Sequence, residues 1–148
     1  MPAELKGKLV AEIHRSLPAE LGFKKSRHRL IRELPDLVES VDIQGSAWNS
    51  AGKPWKFYVN IRVWFPGVPS RLGAHVAHAE CRLEALAPDM PPHFDVTPGN
   101  LLVVAATVAR GCAEASRVLP GLVAQARRSA EQGLYSRLAV PREAGRED

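Results

Sequence analysis

Trp55-Lys56-Phe57-Tyr58-Val59-Asn60-Ile61-Arg62-Val63-Trp64-Phe65 decides the fold. Its odd positions, Trp55, Phe57, Val59, Ile61, Val63 and Phe65, are all apolar. Between them stand Lys56, Tyr58, Asn60, Arg62 and Trp64. Side chains alternate across a strand, so this is a β-strand with one face for a core and one for something else. A slip of one residue would expose the whole apolar set, so the register is well specified.

Upstream, Leu37, Val41 and Ile43 alternate with Ser40, Asp42 and Gln44, marking a second strand from about Leu37 to Gly45. Trp48 to Pro54, with Asn49, Ser50 and Gly52, reads as the hairpin loop between the two. A further strand covers about His28 to Leu34, set off by the Pro35-Asp36 turn. The chain opens with a helix from Ala3 to Leu17, where Leu5, Leu9, Ile13 and Leu17 form one stripe and Pro18 stops it.

Downstream, residues 71–87 fit both helix and strand spacing. Thr97-Pro98 reads as the start of a helix running to Val118. Leu101, Leu102, Ala105, Val108, Ala109, Cys112 and Ser116 form its inward face. Pro120-Gly121 ends it, and a last helix is expected over Leu122–Leu138. The expected domain spans residues 1–140, followed by a flexible polar tail at 141–148. It is an α+β fold: an N-terminal helix, a four-stranded antiparallel sheet, and two C-terminal helices packed on one sheet face.

Composition narrows the function classes. Of 148 residues, 45% are hydrophobic and 24% charged, the balance of an ordinary globular chain. The net charge of +4 is mild. Its densest run, Lys24, Lys25, Arg27, Arg29 and Arg32 around His28, has no interleaved aromatics. That favours a solvated strand edge guarded by charge over a nucleic-acid footprint. No segment has the length of a membrane span, and cytoplasmic residence is expected. Cys81 and Cys112 stand apart and read as reduced, buried side chains.

The order of motifs resembles a known family. Leu21-Gly22-Phe23-Lys24-Lys25, then Val41-Asp42-Ile43-Gln44-Gly45-Ser46-Ala47-Trp48-Asn49, then Phe57-Tyr58-Val59-Asn60-Ile61, are similar to the bacterial domain of unknown function 4304. The resemblance is good over about residues 1–65 and weaker beyond. It implies the α+β fold and a strand over residues 78–87, and it carries no activity.

Candidate chemistry lies on the polar face of the central hairpin. Pairing the two strands sets Asp42, Gln44, Asn60 and Arg62 on one face, with Tyr58 and Trp64 flanking them and Trp48 and Asn49 at the adjoining loop. These eight residues are the expected partner or ligand site. Arginine and aromatics are the usual anchors of interfaces. A deep pocket lined by Asp42, Gln44, Asn60 and Arg62 would favour a small ligand or an enzyme, whereas a flat face with no pocket would exclude both. His75, His78 and Cys81 offer zinc-type ligands without a visible fourth. Glu33, Asp36 and Glu39 read as solvated carboxylates flanking a turn. No catalytic motif appears, and no metal or cofactor is expected. The reading is a non-enzymatic protein-binding module, of immunity or toxin-neutralising type, acting as monomer or homodimer.

Overall fold

The computed structural model describes residues 2–70, 73 and 76–140. Helix α1 (Pro2–Ser16) is followed by a short 3-10 turn at Ala19–Leu21. Strands β1 (Lys24–Ser26), β2 (Arg29–Glu33), β3 (Val38–Gly45) and β4 (Trp55–Trp64) come next. Then follow β5 (Ala79–Arg82), the one-turn α2 (Leu83–Leu86), β6 (Phe94–Val96), α3 (Leu101–Val118), α4 (Pro120–Glu131) and β7 (Ser136–Arg137).

The alternation of β4 is realised in full. Phe57, Val59, Ile61 and Val63 are each no more than 2% exposed, whereas Tyr58, Arg62 and Trp64 are half-buried on the other face. Burying one such side chain contributes roughly 1.5–3 kcal/mol. Leu9, Val10 and Ile13 of α1 and Ala105, Val108, Ala109 and Cys112 of α3 close over the inner face. Gly45 ends β3 for a packing reason. A Cβ there would stand 2.6 Å from Cζ2 of the Trp55 indole, which lies across the hairpin.

The sheet differs from the four antiparallel strands expected. It has seven strands and mixed direction, in the order β1-β2-β3-β4-β5-β7, with β6 paired to β4. β4 is long enough to hold two neighbours on one side: β5 against Asn60–Val63 and β6 against Trp55–Phe57. The three added strands, β1, β6 and β7, have two or three residues each. Such segments are too short to show a period of two. β7 pairs parallel to β5, through Ala79↔Ser136 and Glu80↔Arg137.

Helix boundaries shift as well. Thr97 starts a turn instead of a helix: its N–H donates to Asn100 Oδ1 (2.7 Å) and its hydroxyl accepts from the Asn100 N–H (3.3 Å). α3 then begins at Leu101. The last helix ends at Glu131 instead of Leu138, because Gly133 adopts φ 76°. A left-handed glycine terminates a helix. Leu134 and Leu138 lie beyond it, one exposed and one buried. The tail expected at 141–148 lies outside the described residues.

One polar pair sits inside the core. Glu39 shares the inward parity of Val41 and Ile43, and it is 1% exposed, not solvated. Opposite it Arg32, 7% exposed, donates from Nη2 to Glu39 Oε1 at 2.7 Å. The Ser116 hydroxyl of α3 donates to Glu39 Oε2 at 3.0 Å. Arg32 also lies over the Phe23 ring, while its Nε has no partner. Arg32 therefore leaves the basic run and belongs to the core. Its neighbours Lys24, Lys25, Arg27 and His28 remain exposed, on the edge strand β1 and the turn after it.

Candidate functional site

Antiparallel register sets Ser40, Asp42 and Gln44 of β3 opposite Arg62, Asn60 and Tyr58 of β4. β2 adds Arg29 beside Asp42, and β5 adds Glu80 beside Arg62 and Arg82 beside Asn60. These side chains share the outer face, where Ser40, Asp42 and Asn60 are buried among their neighbours.

They form a connected network. Asp42 Oδ1 accepts from the Ser40 hydroxyl (2.9 Å) and faces Arg29 Nε (3.3 Å). Its Oδ2 accepts from Arg62 Nη1 at 3.0 Å. Arg62 Nε donates onward to Glu80 Oε2 at 3.0 Å, so one guanidinium joins two carboxylates across three strands. Beside this, Asn60 Nδ2 donates to Gln44 Oε1 at 2.8 Å. The Arg82 guanidinium lies 4.2 Å above the Tyr58 ring, a cation–π contact that fixes both.

Two groups at the edge of the network have shifted ionisation. Burial alone would raise the Glu80 carboxyl, but the Tyr135 hydroxyl, Arg62 and Arg137 together hold it below its ordinary value. Burial, with the Glu80 carboxylate beside it, pushes the Tyr135 phenol up to about 12. On the inner face, burial and nearby carboxylates push the Cys81 thiol up to about 12 and Cys112 higher still. Neither cysteine is thus a ready nucleophile, since the thiolate is the reactive form.

Two clefts border the network. The larger, about 660 Å³, is lined by Asp42, Gln44, Asn60 and Arg62 on the sheet side and by Lys6, Arg27, His28 and Arg29 on its rim. The smaller, about 130 Å³, lies between Gln44, Asn60, Glu80, Arg82 and Arg137. The four expected residues are therefore brought together, and Tyr58 joins them through Arg82.

Three other expected residues lie beside the network without lining either cleft. Asn49 spends its side-chain amide on the hairpin: Nδ2 donates to Lys56 O (2.8 Å) and Oδ1 accepts from Lys56 N (2.7 Å). Trp48 is 91% exposed in the loop, and Trp64 lies at the far end of β4 opposite Val38. Neither Trp lines the two clefts.

Residues missed from the sequence are Ser40, Glu80, Arg82 and Lys6, while Arg27 and Arg29 stand in the basic run and not in the expected site. Glu80 and Arg82 flank Cys81 at a spacing of two, which was the available signal. The zinc reading loses its second histidine to this geometry. His78 Nδ1 accepts from the Phe65 N–H (2.9 Å), and Nε2 bonds Val68 O (2.9 Å). His75 lies outside the described residues. No group of three potential ligands is placed to hold a metal among the described residues, and no described helix is long and apolar enough to cross a membrane.

Residues 18–105, more than half the chain, match the family described as domain of unknown function (DUF4304). The chain belongs to this family. The DUF4304 match starts later than the resemblance read from the residues, after α1, and runs further, through β6 into α3. It contains every residue of the outer-face network except Tyr135 and Arg137. No curated protein and no solved structure matches.

Proposed function

We propose that this DUF4304 protein is a binding module whose outer sheet face receives a partner protein. The observation that carries this is the pre-formed network joining Arg29, Asp42, Arg62 and Glu80, in which the Arg29, Arg62 and Glu80 side chains stay 34–45% exposed. Its side chains are already ordered, so a partner meets arginine and tyrosine groups at reduced entropic cost. Arginine and tyrosine are enriched among residues that dominate binding energy.

The same network argues for recognition over catalysis. A general base or nucleophile needs a free, suitably ionised group within reach of its substrate. Here Asp42 is held by three neighbours, and Glu80 is held by Arg62 and Tyr135.

A photo-crosslinker at Gln44, in the native host, tests the proposal. It should capture a partner that is lost in Asn60→Ala and Arg62→Ala, while one at the exposed Arg110 of α3 should not. Equal capture from both positions refutes the assignment of the face.

The cleft favours a second reading, a small polar ligand held by Asp42, Gln44, Asn60 and Arg62. Its volume lies within the range of ligand sites, about 300–1,000 Å³. Such sites, however, are mostly apolar and enclosing, whereas this one is an open, charge-lined trough. A dialysable compound recovered with the purified chain, and lost in Arg62→Ala, would support it.

A further inference from the structure

The larger cleft lies where β3 runs on without a neighbour. β2 pairs with β3 from Val38 to Asp42 and then turns away, while pairing with β4 continues to Gly45. Ser46 donates its N–H to Lys56 O at 2.9 Å, which fixes the phase of the ladder. Even-numbered residues of β3 therefore bond to β4, and odd-numbered ones turn their backbone groups to the other side. Ile43 and Gly45 turn theirs toward the cleft, and both line it. An unpaired stretch of strand edge is a template for another chain.

The surroundings select the chemistry of that chain. The lining holds Lys6, Arg27, Arg29, Arg62 and His28 against a single carboxylate, Asp42. Asp42 is already paired with Arg29 and Arg62, whereas Lys6, Arg27 and His28 form no ion pair with any described residue. Arg27 also stands at φ 57°, an uncommon backbone conformation for a bulky residue. The turn nonetheless carries a basic side chain at the rim.

We infer that the partner contributes an extended acidic segment that adds to the Ile43–Gly45 edge as a further strand, its carboxylates meeting Lys6, Arg27 and His28. This rests on the protein-binding reading above. In strand addition the main-chain hydrogen bonds give affinity and the side chains give specificity. A nucleic-acid strand fits less well. The lining has no Phe, Tyr or Trp ring for a base to stack on, and a phosphodiester backbone lacks the amide groups that the Ile43–Gly45 edge would pair with.

The probe is a synthetic peptide of alternating glutamate and valine, added to the full chain. Amide hydrogen exchange at Ile43 and Gly45 should slow by about tenfold or more on saturation. Binding should weaken by about tenfold or more between roughly 50 and 500 mM salt, since exposed charges are then screened. Lys6→Glu with Arg27→Glu should abolish it, and so should N-methylation of alternate peptide amides, which removes strand bonds without changing charge.

The inference is overturned by unchanged exchange at millimolar peptide, or by equal binding of the methylated peptide. It is also overturned if oligothymidylate protects the same amides equally. If the Gln44 crosslink survives while the peptide fails, the outer-face reading stands and only the strand addition falls. Loss of the crosslink's specificity removes the reading itself.

Discussion

Glu39→Gln tests the least expected feature of the core. The substitution keeps the shape of the side chain and removes its charge. It leaves the Arg32 guanidinium inside the protein, where Arg32 and Glu39 side chains are only 9% and 1% exposed. Arg32 Nε already lacks a partner, so there is no second acceptor to take up the charge. Breaking a buried pair by removing one partner costs about 3–5 kcal/mol. With a urea slope of about 2 kcal/mol per molar, the unfolding midpoint should fall by roughly 1.5–2.5 M. Ser116→Ala, which removes only the hydroxyl donor to Glu39, should cost less, about 1.5–3 kcal/mol. Arg32→Met with Glu39→Leu removes both charges together and should recover most of the loss, because well-packed apolar replacements of buried pairs are often neutral or stabilising. The assay is equilibrium urea unfolding followed by circular dichroism. A midpoint shift for Glu39→Gln below about 0.5 M would refute the reasoning, since that size belongs to a solvated pair.

Gly111→Ala should destabilise by about 1–3 kcal/mol, despite a helix-propensity gain of about 1 kcal/mol, because its Cβ would meet Met90 at 2.7 Å and Leu83 at 3.0 Å. A raised melting temperature would show that Met90 yields freely. The Cys81 thiol, pushed up to about 12 from 9.0, keeps its proton longer in the folded chain than in the unfolded one. Its contribution is whole below pH 9 and is lost as pH rises toward 12. Cys81→Ala should flatten part of the decline in unfolding free energy over that window, the rest belonging to Tyr135 and Cys112. Glu80 runs the opposite way: its lowered carboxyl supports the fold above its ordinary value of 4.5, and that support goes as pH falls through the folded value. Tyr135→Phe should raise the Glu80 titration midpoint seen by carboxyl NMR, and an unmoved midpoint would show that the phenol does not hold it.

The long periodic elements were legible because many residues repeat one message. Six alternating apolar residues from Trp55 to Phe65 leave no second solution, and the hairpin register followed from them. The same alternation groups Asp42, Gln44, Asn60 and Arg62 on one face. What was hidden needed distant partners. Glu39 breaks the apolar series between Leu37 and Val41, yet nothing local says that Arg32 and Ser116 will accept it inside. Ser116 on the inward stripe of a helix was the matching hint. β1, β6 and β7 carry too few residues for a pattern and exist because β2, β4 and β5 offer them edges. Gly133 stopped a run of leucines that otherwise kept helical spacing. Of the basic rim, the run around His28 was legible, but Lys6 was not, since it lies on α1, far in sequence from Arg27 and Gln44.

The parallel strand at the end of the fold has a bearing on how the chain assembles. β5 is complete at Arg82, but its neighbour arrives only with Ser136. At synthesis rates of about 5–20 residues per second, that interval lasts roughly 3–10 s. For those seconds one flank of β5 is a raw edge on a nascent polypeptide, open to misjoining with another copy. Glu80 and Arg82 are on that strand throughout the wait. Charged side chains on an exposed edge discourage pairing with the wrong chain until the proper neighbour docks.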